Sequence, residues 1–122
     1  MKPLDRDLDL IEVIMHDCAV LKERIDYFKM NEERFVSDHS KEGEIAYDAI
    51  MSPVYRIAED SLHLSDALKK ALPGCPWNDI RGFRNFVAHG YREVDRSIAW
   101  KVVIESIPQL ESQLKAYRSA AS

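Results

Sequence analysis

One stretch of this 122-residue chain gathers side chains suited to phosphate chemistry: Arg81-Gly82-Phe83-Arg84-Asn85-Phe86-Val87-Ala88-His89-Gly90-Tyr91-Arg92. On a helical wheel, Ile80, Phe83, Phe86 and Val87 fall together as a face to be buried. Arg84, Ala88, Arg81, Asn85 and His89 fill an opposite arc of roughly 140°, with Arg84 and His89 at its two edges. Asn85 and His89 stand four apart and are neighbours on one helix face, where an Asn amide can hold an imidazole in one tautomer. A guanidinium clamps a phosphate by paired hydrogen bonds and stabilises charge that builds in a transition state. An imidazole with a pKa near neutrality moves protons. RNA brings its own nucleophile, the 2′-hydroxyl, next to each phosphate. Arg84 and His89, supported by Asn85, are therefore a sufficient minimum for cutting RNA by internal transfer, with no metal and no cofactor. The arc is wide for two side chains on one straight helix to meet at one phosphorus. Either the helix unwinds at His89-Gly90, or a second subunit completes the site. A plainer reading fits the same residues: a His before Gly satisfies the last carbonyls of a helix, and nearby arginines form a solvated face.

The elements that must carry this block read as helices. Leu4, Leu8, Ile11, Met15, Cys18, Leu21, Ile25 and Phe28 repeat in steps of three and four, predicting a first helix from about Asp5 to Met30. Residues 31–43 are polar and predict a short helical turn around Glu32–Val36 followed by a loop. A second helix follows from Ser40 or Glu44 to Ala71, with Pro53 expected to kink or split it near Met51–Ser52. Pro73-Gly74-Cys75-Pro76 ends that helix. A third spans Trp77 to His89, with Gly90 as its stop. Asp95 is the N-cap of a fourth. Ser106-Ile107-Pro108-Gln109 has a capping-box pattern and predicts a new helical piece there. The expected fold is all-α, an antiparallel bundle of four main helices forming a single domain over 1–122, kinked near Pro53 and Pro108.

Composition agrees with a globular chain. Hydrophobic residues make up 46% and charged residues 31%, and only four glycines argue against a turn-rich β fold. No apolar run approaches the roughly 18 residues of a membrane span, and Met1-Lys2-Pro3-Leu4-Asp5 lacks the form of a signal peptide, so a cytoplasmic location is expected. Cys18 and Cys75 read as reduced thiols, Cys18 in the core and Cys75 exposed in its turn. The net charge of -4 argues against a protein that coats nucleic acid. It hides a local excess: Arg81, Arg84, Arg92, Arg96 and Lys101 against Glu93 and Asp95 make that window +3, leaving -7 elsewhere. Arg81, Arg92 and Arg96 are the candidate RNA-binding side chains. Glu59 and His63 stand four apart without a further ligand at metal spacing. Asp5, Asp7 and Asp9 lack the Gly and terminal Glu of a calcium loop. Trp77 and Trp100 read as anchors of a core or a subunit interface.

The block Arg84-Asn85-Phe86-Val87-Ala88-His89-Gly90-Tyr91 resembles the Arg-Asn-x3-His-x-Tyr motif of HepT-like proteins, the HEPN-domain toxins paired with minimal nucleotidyltransferase (MNT) antitoxins. Pro76-Trp77-Asn78-Asp79-Ile80-Arg81-Gly82-Phe83 is similar to the family's lead-in. Val94-Asp95, Ile98-Ala99-Trp100 and Ile107-Pro108-Gln109-Leu110 are similar to its following helix. Glu59-Asp60-Ser61 departs from the commoner Gly-Glu-Ala, and Pro53 interrupts a helix that usually runs smoothly. The resemblance implies a metal-independent RNase working as a homodimer, with RNA rather than DNA as substrate and the site in the cleft between subunits. By position it makes Arg84 and His89 the catalytic pair, with Asn85 in support. It matches Tyr91 to the tyrosine that partner nucleotidyltransferases adenylylate. A HEPN module that binds its partner or RNA without cutting is the alternative.

Overall fold

The computed structural model describes residues 4–89 and 94–121, with His89 described by its backbone alone. All regular structure among the described residues is helical. The helices are α1 (Asp5–Tyr27), α2 (Glu32–Ser37), α3 (Lys41–Leu62), α4 (Asp66–Ala71), α5 (Trp77–His89), α6 (Arg96–Lys101) and α7 (Ile107–Ala121), with a π turn over Val102–Ser106 joining the last two. The all-α expectation holds, and α1, α3, α5 and the α6–α7 rod are its four main members. Cross-contacts show their directions. Asp7 meets Ser65, Asp17 meets Arg56 and Arg24 meets Ala49, so α1 and α3 run antiparallel. Lys22 meets Glu111 and Arg118 meets Glu12, so α1 and α7 do too.

The core is built from the apolar stripes: Ile11, Ile14, Cys18 and Leu21 of α1, Ile50, Val54 and Ile57 of α3, Ile80 and Phe83 of α5, and Leu110 and Leu114 of α7. Trp100 is buried against Phe35, ring centroids 5.2 Å apart. Trp77 is half-buried and its indole N–H donates to the Leu72 carbonyl at 2.9 Å. Cys75 is buried, contrary to its expected exposure, because its turn folds back onto the core. Burial holds its thiol up at about 11, and that of Cys18 up to about 12. No described helix is long and apolar enough to cross a membrane.

Four helix boundaries differ from those the sequence predicts. First, α1 stops at Tyr27 rather than near Met30. Lys29 takes a left-handed conformation, φ 50, while the Lys29 N–H donates to the Asp26 carbonyl and the Met30 N–H to Ile25. This is a Schellman closure made without glycine. Second, α3 passes through Pro53 unbroken. Proline leaves the carbonyl four residues back without its N–H. Here that carbonyl is Ala49, and Arg24 Nη1 of α1 donates to it at 2.7 Å. Third, the second long helix breaks at His63–Ser65 instead of running to Ala71. Ser65 caps α4 through Oγ, which accepts from the Leu68 N–H, and buried Asp7 accepts from both the Ser65 N–H and its hydroxyl. Fourth, α7 begins at Ile107 as the sequence predicts, but it is joined continuously to α6 rather than starting as a separate piece. The π turn carries α6 into α7, and its wider winding accommodates Pro108, whose ring would otherwise press on the carbonyl of Ile104.

Candidate active site on α5

Helix α5 starts immediately after Pro76, whose carbonyl accepts the Ile80 N–H at 3.1 Å, and runs to His89 as the sequence predicts. Ile80, Phe83 and Val87 are buried against the core. Phe86 is not: it is 53% exposed, because the face of α5 turned to the protein is narrower than the wheel suggests. Together with Phe83, Val94, Ile98 and Val102 it lines a groove of about 410 Å³ between α5 and α6. Ile98 is 55% exposed on the other wall.

Arg84 is the most fully held of the candidate catalytic residues. Its Nε donates to Glu59 Oε2 at 2.7 Å and its Nη2 to Glu59 Oε1 at 3.3 Å, a two-point pair reaching from α5 to α3. Nη1 donates to Asn85 Oδ1 at 3.3 Å. A guanidinium has five N–H donors, so these three contacts fix its plane and leave two for a phosphate. Hydrogen bonding from Arg84 holds the Glu59 carboxyl below the usual range, and Glu59 in turn pushes the guanidinium's pKa up. Glu59 Oε1 also lies 3.5 Å from His63 Nε2. Among the described residues, no group of three His, Cys, Asp or Glu is arranged to hold a metal ion.

The sequence missed Glu59 as the partner of Arg84. Its signal was the departure from Gly at that position, which has no visible consequence until α3 and α5 are packed side by side. Asn85 is exposed on the same face as Arg84, and Arg81 is exposed one turn earlier. His89 ends α5, four residues beyond Asn85. Its side chain, and Gly90, Tyr91 and Arg92 entirely, lie outside the described residues. Arg96 sits elsewhere, at the start of α6. Its Nη2 donates to Glu44 at 2.7 Å, its guanidinium lies 3.8 Å from the centroid of the Tyr47 ring, and only 14% of its side chain is exposed. Those contacts tie α6 to α3, and the hydrogen bond from Nη1 to the Phe35 carbonyl adds α2.

Comparison with known proteins bears on the family. A protein of Caldanaerobacter subterraneus subsp. tengcongensis, named a candidate RNase, is 29% identical over 105 residues, covering 86% of this chain and 88% of that protein. A candidate RNase of Methanocaldococcus jannaschii is 27% identical over 67 residues, 55% of this chain and 62% of its own. The candidate ribonuclease HepT of Thermococcus cleftensis is 30% identical over 70 residues, 57% of this chain and 64% of its own. In the latter two the match thus spans less than two thirds of the relative's length. No solved structure matches the chain. The family model described as Ribonuclease HepT-like matches residues 15–117, from within α1 to within α7, and the chain belongs to that family.

Proposed function

We propose that this protein is a metal-independent endoribonuclease, the toxin of a HEPN/MNT toxin–antitoxin pair, acting as a homodimer on RNA. The observation that carries this reading is the guanidinium of Arg84, fixed in plane by Glu59 and Asn85 on the helix face that leads to His89. Arg84 binds the scissile phosphate with its remaining N–H groups and stabilises the charge on its oxygens. His89 removes the proton of the adjacent 2′-hydroxyl, whose oxygen attacks phosphorus. The 5′-oxygen leaves and takes up a proton, so one strand ends in a 2′,3′-cyclic phosphate and the other in a free 5′-hydroxyl. Asn85 orients the guanidinium and, one helical turn before His89, the imidazole. Arg81 and Arg92 lend positive charge to the approach.

The exposed apolar groove beside the motif, with Phe86 and Ile98 on its walls, supports the homodimer. In a dimer the second copy's Arg84–His89 pair completes the cleft, which removes the difficulty of the wide helical arc. The nucleotidyltransferase partner and the modification of Tyr91 rest on the family and on the motif's tyrosine. An AMP on Tyr91 adds charge and bulk beside the cleft and repels RNA.

The test is to incubate purified protein with RNA, with and without a chelator, and map the ends. Cleavage that survives chelation, leaves cyclic phosphate ends and falls about 10²–10⁴-fold in His89→Ala is the expected result. Full activity in that variant overturns the mechanism. With the partner and ATP, the chain is expected to gain mass in multiples of AMP, and Tyr91→Phe is expected not to. The Arg84–Glu59 pair also favours a second reading, a non-catalytic binding module, since a carboxylate occupies one edge of the guanidinium. Tight partner binding with no RNA cleavage selects it.

A further inference from the structure

A second arginine is presented in the same manner as Arg84. Arg56 of α3 donates through Nε and Nη2 to Asp17 Oδ1 at 3.1 and 3.0 Å, and through Nη1 to Ser52 Oγ at 2.7 Å. As in Arg84, one carboxylate takes Nε and Nη2, a neutral side-chain oxygen takes Nη1, and two of five N–H donors are left over. Asp17 is buried, its side chain 7% exposed, while the Arg56 side chain is 45% exposed. The acid is thus the anchor, and the guanidinium is held out toward solvent.

Arg56 lines a cavity of about 450 Å³ with Met51, Ser52 and Tyr55 of α3 and Val87 and Ala88 of α5. This cavity is next to the proposed cleavage site at both ends. Ala88 directly precedes His89. Tyr55 stands four residues before Glu59, the partner of Arg84, hence on the same face of α3. The lining therefore joins one fixed cation, one serine hydroxyl, one aromatic ring and apolar walls. That combination suits a nucleotide of single-stranded RNA, with phosphate on the cation and sugar and base on the ring.

We propose that the cavity between α3 and α5 is an RNA subsite, in which Arg56 binds a second backbone phosphate of the strand and Tyr55 packs against the attached sugar and base. This rests on the ribonuclease reading above. It gives the acidic protein a local grip on its substrate: the strand is held at two fixed guanidiniums, and the rest of the surface need not attract it.

The experiment measures binding of a short single-stranded RNA to His89→Ala protein across a range of salt concentrations, which separates binding from cleavage. Arg56→Gln is paired with the double variant Asp17→Asn/Arg56→Gln, which leaves no unpaired carboxylate in the core if the single variant unfolds. Loss of Arg56 is expected to weaken RNA binding about tenfold and to make the slope of log affinity against log salt shallower by about 0.7, one phosphate contact on a single strand. Tyr55→Leu is expected to weaken binding about fivefold or more while leaving that slope unchanged. An unchanged slope and affinity in the Arg56 variants of a protein that still cleaves RNA overturns the subsite alone. So does loss of the dimer in those variants, because the face then belongs to the interface. If the wild-type chain neither cleaves nor binds RNA, it is the ribonuclease reading that has failed.

Discussion

Arg84 illustrates how a single side chain is held ready for the role proposed for it. A free arginine loses rotamer entropy when it binds a phosphate. Here Glu59 and Asn85 have already fixed the guanidinium, so less ordering remains to be done on binding. The pair itself is partly solvated and adds little to stability, which makes it a positioning device more than a brace. Glu59→Ala is accordingly expected to leave the melting temperature nearly unchanged and to lower RNA cleavage on the order of ten- to a hundredfold, by letting the guanidinium swing. A rise in activity in that variant would show that Glu59 competes with the phosphate instead. The pair also has a pH signature. Arg84 depresses the Glu59 pKa below its ordinary 4.5. A depressed carboxyl contributes stability that is complete above the ordinary value and is lost as pH falls through the depressed one. The contribution is therefore constant through neutrality and disappears on the acid side of 4.5, and Glu59→Gln should remove that part of the acid sensitivity in a pH series of melting curves.

At the scale of elements, Pro53 was expected to kink or split its helix, and it does not split it. Pro53 costs α3 one backbone hydrogen bond, but the orphaned Ala49 carbonyl is taken by Arg24 from the neighbouring helix. The break is repaired in trans and α3 stays whole over Lys41–Leu62. Arg24→Met is expected to destabilise the fold by about 1–2 kcal/mol, because a part-buried carbonyl loses its donor. Adding Pro53→Ala should recover much of that loss by restoring the in-helix N–H. Additivity of the two changes in chemical denaturation would show that the residues are not coupled. The same dependence on a neighbour explains the break at Ser65. Ser65-Asp66 is a fair N-cap sequence, but it ends one helix and begins another only because Asp7 of α1 lies opposite to accept both the Ser65 N–H and its hydroxyl.

For the whole molecule, the charge window centred on the motif looks different once folded. Of its arginines, Arg84 is paired with Glu59 and Arg96 with Glu44, both acids of α3 from outside the window. The +3 counted along the chain is thus partly neutralised in space. Apolar surface is the complementary asymmetry. Phe86 and Ile98 are more than half exposed on facing walls of one groove, adjacent to the motif helix. Phe86→Asp is expected to leave the monomer's helicity and stability nearly intact, as substitutions of exposed residues usually do. It should weaken the proposed self-association at least about tenfold, because a charge would replace an aromatic anchor at the proposed interface, and it should reduce RNA cleavage in parallel. Sedimentation of the variant beside the wild-type chain reads the first effect. A variant that stays dimeric would place the interface elsewhere.

What the sequence determined by itself is what local chemistry and periodicity can encode. Of the apolar stripe read on the first helix, Ile11, Cys18 and Leu21 are core residues, while Leu4 is exposed and buried Ile14 lies off it; the capping residue Asp95 accepts from the Ser97 and Ile98 N–H groups as expected, and the span of α5 and the order of its motif residues were legible before any packing was known. Such features depend on residues within a turn or two of each other. Only the tertiary structure decided the rest: which carboxylate holds Arg84, that Phe86 faces solvent, that Arg24 lets α3 pass through Pro53, and that Arg56 and Tyr55 meet Ala88 at one cavity. Each of these joins residues from different helices, and the relative placement of two helices is set by how their side chains interlock across the contact, which no single stretch of sequence contains.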